Sequence, residues 1–208
     1  MVYTKDDIKQ LDRVSRLKII NSVTGIKPAN LIGTTDDNGN TNLAIFSSIV
    51  HLGSNPALIG FISRLQTNEV RHTYRNIQEN GWYTINHIHP EFVKNAHYTS
   101  AKFDAGVSEF EQCNLTEEYV NDFKAPFVKE SNFKMGMRFK EAVDINLNGT
   151  VLIIGEVEIL LLPDNAKIEG DIDLEATNGV GISGLNSYYS LNKIANYPLA
   201  RVNELPEF

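Results

Sequence analysis

Two stretches near the middle of the chain restrict its folding more than anything else in it. Phe133, Met135, Met137, Phe139, Val143 and Ile145 alternate with Lys134, Arg138, Lys140 and Asp144. A period of two sends the first set to one side of a strand and the second to the other, so a sheet with one buried face is expected. Asn148-Gly149 then marks a turn, and Val151 to Leu162 supplies an apolar return strand.

The same signals recur upstream. Ala29 to Thr35 reads as a strand, and Asp36-Asp37-Asn38-Gly39-Asn40 reads as a turn because Asn-Gly tolerates positive φ. Asn42 to Val50 is the expected hairpin partner, and Ala57 to Ser63, after Pro56, a third strand. Thr67 to Glu79 has helical character, with Thr67 or Asn68 as cap and Val70, Thr73, Tyr74 and Ile77 on one face. Asn80-Gly81 stops that helix, and Trp82 to Ile88 reads as another strand. A second helix is expected over 90–100, with Pro90 in its first turn. Lys5 to Asn21 reads as an amphipathic helix or irregular arm, and Phe103 to Lys129 as irregular and acidic. Strands joined mostly by hairpins, with helices inserted, predict a mainly β, mainly antiparallel barrel or sandwich. One domain over 1–208 is expected, with an N-terminal arm over about 1–24 and a C-terminal wrap over about 164–208.

Composition narrows the function. A formal net charge of -7 argues against a nucleic-acid surface, which needs a clustered basic face. The short basic group Arg71, His72 and Arg75 suits a small anion better than a polymer. Cys113 is the sole cysteine, so no disulfide forms within the chain and a reducing compartment is expected. Met1 to Gln10 is polar and does not read as a secretory signal. The longest apolar run, Val151 to Pro163, is interrupted by Gly155, Glu156 and Glu158 and is too short to span a bilayer. The expected location is cytoplasmic.

One segment stands out chemically. Asn42-Leu43-Ala44-Ile45-Phe46-Ser47-Ser48-Ile49 mixes large apolar residues with Asn, Ala and two serines. Little bulk is left on one side, so its backbone can approach something flat, and its polar groups can meet hydrogen-bonding edges. Arg64 offers a cationic fork suited to a phosphate. Thr73 and Asn76 sit at helical spacing near a helix start, where backbone N–H groups favour anions. A flat polar-edged ring and a phosphate on one ligand suggest flavin mononucleotide (FMN). On the residues alone, the segment also fits an ordinary barrel strand with small residues at a packed corner, Arg64 a surface ion pair, and Thr73 and Asn76 helix-surface or capping positions.

The order of several short pieces resembles the flavin reductase-like, FMN-binding split-barrel family, which includes the flavoredoxins. These pieces are Thr34-Thr35-Asp36, then Asn42-Leu43-Ala44 with Ser47-Ser48, then Asn55-Pro56 leading to Ser63-Arg64. His72-Thr73-Tyr74-Arg75-Asn76-Ile77, Tyr83-Thr84-Ile85-Asn86, Ser108-Glu109-Phe110-Glu111 and Gly184-Leu185-Asn186-Ser187-Tyr188-Tyr189 follow. The resemblance implies an FMN-binding split β-barrel that dimerises, with the flavin at or near the subunit interface. It implies that Asn42, Ala44, Phe46, Ser47 and Ser48 line the isoalloxazine and that Arg64, Thr73 and Asn76 lie near the phosphate. It also implies NADH or NADPH as co-substrate, with hydride transfer from reduced nicotinamide to flavin and no acid–base pair supplied by the protein. A non-enzymatic FMN electron carrier or flavin-binding partner protein is the alternative, and a barrel that binds another ligand is a third reading.

Other motifs have plainer readings. His87 and His89 share a strand face, and Glu91, His97 and Cys113 are conceivable companions, but a closed set with metal-ligand spacing is missing. His51 and His72 read as site-edge or surface residues, and Cys113 as a small structural residue without a nucleophile's surroundings. Gly179-Val180-Gly181-Ile182-Ser183-Gly184 fits the dinucleotide pattern Gly-x-Gly-x-x-Gly, but no βαβ unit surrounds it, so a flexible loop is expected. Tyr188 and Tyr189 are expected to pack, with a dimer interface as one place for them.

Overall fold

A computed structural model describes residues 1–64, 72–104 and 106–207. Seven strands form the main sheet: β1 (Asn30–Thr35), β2 (Thr41–Phe46), β3 (Val50–Ser54), β4 (Ala57–Arg64), β5 (Trp82–His87), β6 (Lys134–Ile145) and β7 (Thr150–Leu161). Their order is β2-β1-β5-β6-β7-β4-β3, every neighbouring pair antiparallel. The two edges of this sheet, β2 and β3, are consecutive in the chain and joined only by Ser47, Ser48 and Ile49. The sheet therefore curls enough to bring the end of β2 against β4 at a seam. There Phe46 of β2 packs edge-on against Phe61 of β4, ring centroids 5.0 Å apart. The Ser48 hydroxyl both donates to the Ile62 carbonyl and accepts the Ile62 N–H, each at 3.1 Å.

The inner face holds one apolar cluster, including Ile32, Phe61, Ile77, Tyr83, Ile85, Met135, Met137, Val151 and Ile153. The opposite side of β1 and β2 carries a second cluster, in which Leu31 and Leu43 meet Phe92, Ala96, Phe110 and Cys113 from the inserted helical segments. Helix α1 (Lys5–Gln10) is capped by Thr4 and Asp7, and α2 (Arg13–Ser22) by Asp12, so the arm read as one amphipathic stretch is two helices. Neither buries a residue. Helix α3 (His72–Asn80) buries Thr73, Asn76 and Ile77, one face at helical spacing. Gly81, at φ +75°, ends it with its N–H on the Ile77 carbonyl at 2.9 Å. The suggested caps Thr67 and Asn68, together with Val70 and Arg71, lie outside the described residues. Pro90–Phe92 forms a 3₁₀ turn leading into α4 (Val93–Tyr98), and α5 (Glu109–Gln112) is a single turn.

The long hairpin forms as its alternation predicts, with two corrections. Phe133, Met135 and Met137 are buried, but the register between β6 and β7 slips at Lys140, where Gly155 faces Phe139 and Ile154 faces Glu141. The extra residue reverses the alternation beyond it. Ala142 therefore packs on the core, while Val143 is 41% exposed. Lys134, read as outward, is only 6% exposed, its ammonium paired with the Glu118 carboxylate. Such a partner is what a buried ammonium requires.

Two further expectations are revised. The strand expected over 42–50 stops at Phe46, and Val50–Ser54 is a separate strand that turns back onto β4. The expected loop over 179–184 contains β8 (Val180–Ser183), which pairs with Lys27–Pro28 on one side and with β9 (Ser187–Ser190) on the other. Four rungs to β9 make a local hairpin of it, and the distant Lys27–Pro28 adds two more on the other side. Among the described residues no helix is long and apolar enough to cross a membrane.

Candidate functional site

Thr34, on the inward face of β1, is the hub of a buried polar cluster. Asn42, directly opposite it on β2, donates its amide N–H to Thr34 Oγ1 at 3.3 Å and to Thr73 Oγ1 at 3.1 Å. From α3, the Asn76 amide donates to the same Thr34 oxygen at 3.1 Å. Asn80 adds a bond to the Thr35 carbonyl, so side chains of α3 tie the helix to the hairpin at both ends. Three of the residues expected from sequence, Asn42, Thr73 and Asn76, are thus brought together. Asn76 is 1% exposed, yet its Oδ1 has no hydrogen-bond partner. A buried carbonyl left unpaired is expensive and uncommon.

The strand carrying the small residues is the open edge of the sheet. Its Leu43 N–H points away from β1 and is received by the Glu109 carboxylate at 2.8 Å. In an antiparallel strand, the residue two further along, Ile45, presents its backbone groups on that same side. Thr41 anchors the covering segment, accepting from Ser108 at 2.8 Å and donating to Glu117 at 2.6 Å. Ala44, Ser47 and Ser48 are half-buried. The Ser48 hydroxyl serves the seam, and the Phe46 ring turns toward Phe61 in the core. Arg64 is exposed at the last rung of β4, opposite Thr150. Residues 65–71, which join it to α3, lie outside the described residues.

Next to the Thr34 cluster opens a cavity of about 300 Å³. Asp36, Asn42, His72, Arg75, Asn76 and Glu109 contribute to its lining. Hydrogen bonds from Asn40, aided by those from the Asn38 backbone, hold the Asp36 carboxyl below its usual range. Burial pushes Glu109 up, opposed by the Leu43 N–H. Burial and the neighbouring Arg75 guanidinium push His72 down, against the pull of Asp36. The wall therefore mixes carboxylates and an amide carbonyl with a neutral imidazole and one guanidinium.

Sequence reading assigned no role to Thr34, Asp36 or Glu109. Thr34 was legible as the residue across the turn from Asn42. Glu109 was not, because 66 residues separate it from the N–H it receives.

The remaining motifs are structural here. His87 stacks on Phe133 with centroids 4.0 Å apart, and burial, reinforced by His89, pushes it down to about 4. His89 Nε2 accepts the Asn132 N–H at 3.2 Å. Among the described residues, no group of three or more His, Cys, Asp or Glu is placed to hold a metal. Cys113 is buried, and its thiol is pushed up by burial and by Glu109. Tyr188 Oη lies 3.0 Å from His97 Nδ1.

Comparison with known proteins identifies the family of the fold. Residues 26–175 match the sequence profile of the flavin reductase like domain. A candidate flavin reductase with a split barrel domain from Shewanella frigidimarina NCIMB 400 is 46% identical, with 96% of this chain and 100% of that chain covered and a TM-score of 0.90. Component B of nitrilotriacetate monooxygenase from Bacillus cereus shares the fold at 21% identity, covering 95% of this chain and 98% of its own, with a TM-score of 0.82. The flavoredoxin of Desulfovibrio vulgaris (Miyazaki F) does so at 20% identity over 85% of this chain and 92% of its own, with a TM-score of 0.72. By this match, which takes in the whole curled sheet and the polar cluster at its edge, the chain belongs to the flavin reductase like domain family.

Proposed function

We propose that this protein binds FMN along β2 and acts as an NAD(P)H-dependent flavin reductase-like oxidoreductase. The observation that carries the reading is the coincidence, at one open sheet edge, of the half-buried small residues Ala44, Ser47 and Ser48 with the buried polar cluster of Asn42, Thr73 and Asn76. These residues fit the group. Small side chains leave room for a flat ring, outward backbone groups suit its polar edge, and a buried carbonyl without a partner awaits a ligand. FMN held there by Asn42, Ala44, Ser47, Ser48, Thr73 and Asn76 would supply the redox chemistry, that of a hydride acceptor.

The chain's own part is to bind and orient. Ala44, Ser47 and the backbone at Ile45 flank the ring position, and Ser48 and Phe46 hold that segment in place from behind through Ile62 and Phe61. Arg64 offers its fork to the phosphate. Thr73 Oγ1 accepts from Asn42, which leaves its own proton to donate. The apolar side chains left exposed on the arm (Val14, Leu17, Ile20) and on the C-terminal segment (Ile194, Tyr197, Leu199) support a homodimer, with the flavin close to the subunit contact.

The deciding experiment is anaerobic mixing of the flavin-loaded protein with NADH and with NADPH. A reductase bleaches the flavin absorbance on the order of 1 s⁻¹ or faster with at least one of them. If dithionite reduces the flavin while neither nicotinamide does so within minutes, the protein is an electron carrier instead. That the fold is shared with a flavoredoxin makes this the reading to test against.

A further inference from the structure

The cavity beside the Thr34 cluster is lined by residues with an unpartnered acceptor, Asn76 Oδ1, and an unpartnered donor, Arg75 Nε, where a phosphate site would present donors alone. Asn76 Oδ1, at 1% residue exposure, has no hydrogen-bond partner, while the amide nitrogen of the same side chain donates to Thr34. The carboxylates of Asp36 and Glu109 contribute to the same wall. Asp36 already receives the Asn38 and Asn40 backbone N–H groups at 2.9 Å each, and Glu109 receives that of Leu43 at 2.8 Å. Against them stand His72 and Arg75, whose buried Nε lies 3.4 Å from Glu79 without making a hydrogen bond. A phosphate brings only acceptors and negative charge, and would face two carboxylates and a carbonyl. An apolar ring would leave Asn76 Oδ1 unsatisfied. A sugar hydroxyl both donates and accepts, and a row of them matches a wall of mixed sign.

We infer that this cavity receives the vicinal hydroxyl groups of a sugar chain, with Asn76 Oδ1 as a principal acceptor. Asn76 then reads a hydroxyl, and the phosphate falls to Arg64 and Thr73. The inference rests on the flavin reading and narrows it. Two ligands of that reading carry such hydroxyls, the ribityl chain of the flavin and the ribose of the nicotinamide dinucleotide.

Purified wild-type protein and Asn76→Leu are titrated with FMN, riboflavin and lumiflavin, which lacks the ribityl chain, following flavin fluorescence. ADP-ribose binding is measured in parallel by calorimetry. Loss of one hydrogen bond to a buried acceptor corresponds to about a five- to tenfold weakening. If the ribityl chain is the occupant, riboflavin weakens by that factor in Asn76→Leu while lumiflavin changes less than twofold. If the dinucleotide ribose is the occupant, ADP-ribose weakens by that factor and the three flavins do not. Either result supports the inference. No change for any ligand overturns it, as does a tenfold loss of the FMN-over-riboflavin preference, which would put Asn76 on the phosphate. Should Asn76→Leu fail to fold, Glu109→Gln keeps an acceptor for the Leu43 N–H and is judged by the same ratios. A wild-type protein that binds no flavin removes the functional reading itself, whereas flavin binding with unmoved ratios removes only this inference.

Discussion

Ser48→Ala tests whether the seam of the sheet is held by one side chain. The serine hydroxyl is a two-way bridge to Ile62, donating to its carbonyl and accepting its N–H at 3.1 Å each. Ile62 faces Leu152 on one side of β4, while on the other side β3 reaches only as far as Gly60. Ser48 therefore occupies the next rung of a ladder that β3 does not extend to. Alanine removes both bonds without adding bulk. A neutral hydrogen bond contributes about 0.5–1.5 kcal/mol net. Because Ile62 is half-buried and water replaces part of the loss, the expected cost is about 1–2 kcal/mol. At a urea slope of about 2 kcal/mol/M, the unfolding midpoint falls by roughly 0.5–1 M. Ser47→Ala is the matched control, since Ser47 is also half-buried and makes no side-chain hydrogen bond to a described residue. Ser48→Ala should lose flavin affinity together with stability, because the seam carries the segment proposed to flank the ring. Equal midpoints for the two alanine variants would refute the argument that Ser48 closes the seam.

Two more outcomes follow from buried charge. The folded pKa of His87, about 4, lies below its unfolded value of 6.5, so the unfolded chain binds more protons between those values. Stability is then fully present above pH 6.5 and falls as the pH drops toward 4, by at most about 3 kcal/mol since solvent still reaches part of the ring. Urea titrations from pH 7 to 4 should show this slope and its flattening in His87→Leu, and an unchanged slope in the variant would assign it to other groups. For the Lys134–Glu118 pair, Glu118→Ala strands a buried ammonium and should cost about 2–4 kcal/mol, whereas Lys134→Met should cost less than 1.5 kcal/mol. The reverse order in thermal or urea unfolding would show that the pair itself, rather than the penalty of an orphaned charge, is what stabilises.

What could be read from the sequence was local. The long hairpin, the Asp36–Asn40 turn and the stop at Gly81 are written in neighbouring residues, and all appear where periodicity and turn chemistry place them. The exposure of Val143 was not legible, because the bulge at Lys140 is a property of two strands in register and not of one. Strand β8 was missed because its glycines read as a loop, although it pairs with the nearby β9 as well as with the distant Lys27–Pro28. At the site, Asn42, Thr73 and Asn76 were picked out as residue types suited to a ligand, and they do converge. That Thr34 joins them, and that Asn76 leaves an acceptor free, depends on side-chain directions that spacing alone does not fix.

The carboxylate that caps Leu43 has a consequence for the protein in a crowded solution. An uncovered outer strand invites another chain to add itself and start a fibre. Any strand approaching β2 at Leu43 must first expel Glu109, whose carboxyl is already reluctant to ionise in its buried position and loses its N–H partner when displaced. A single acidic side chain, delivered from a distant turn of helix, thus keeps this border of the sheet from propagating into aggregates.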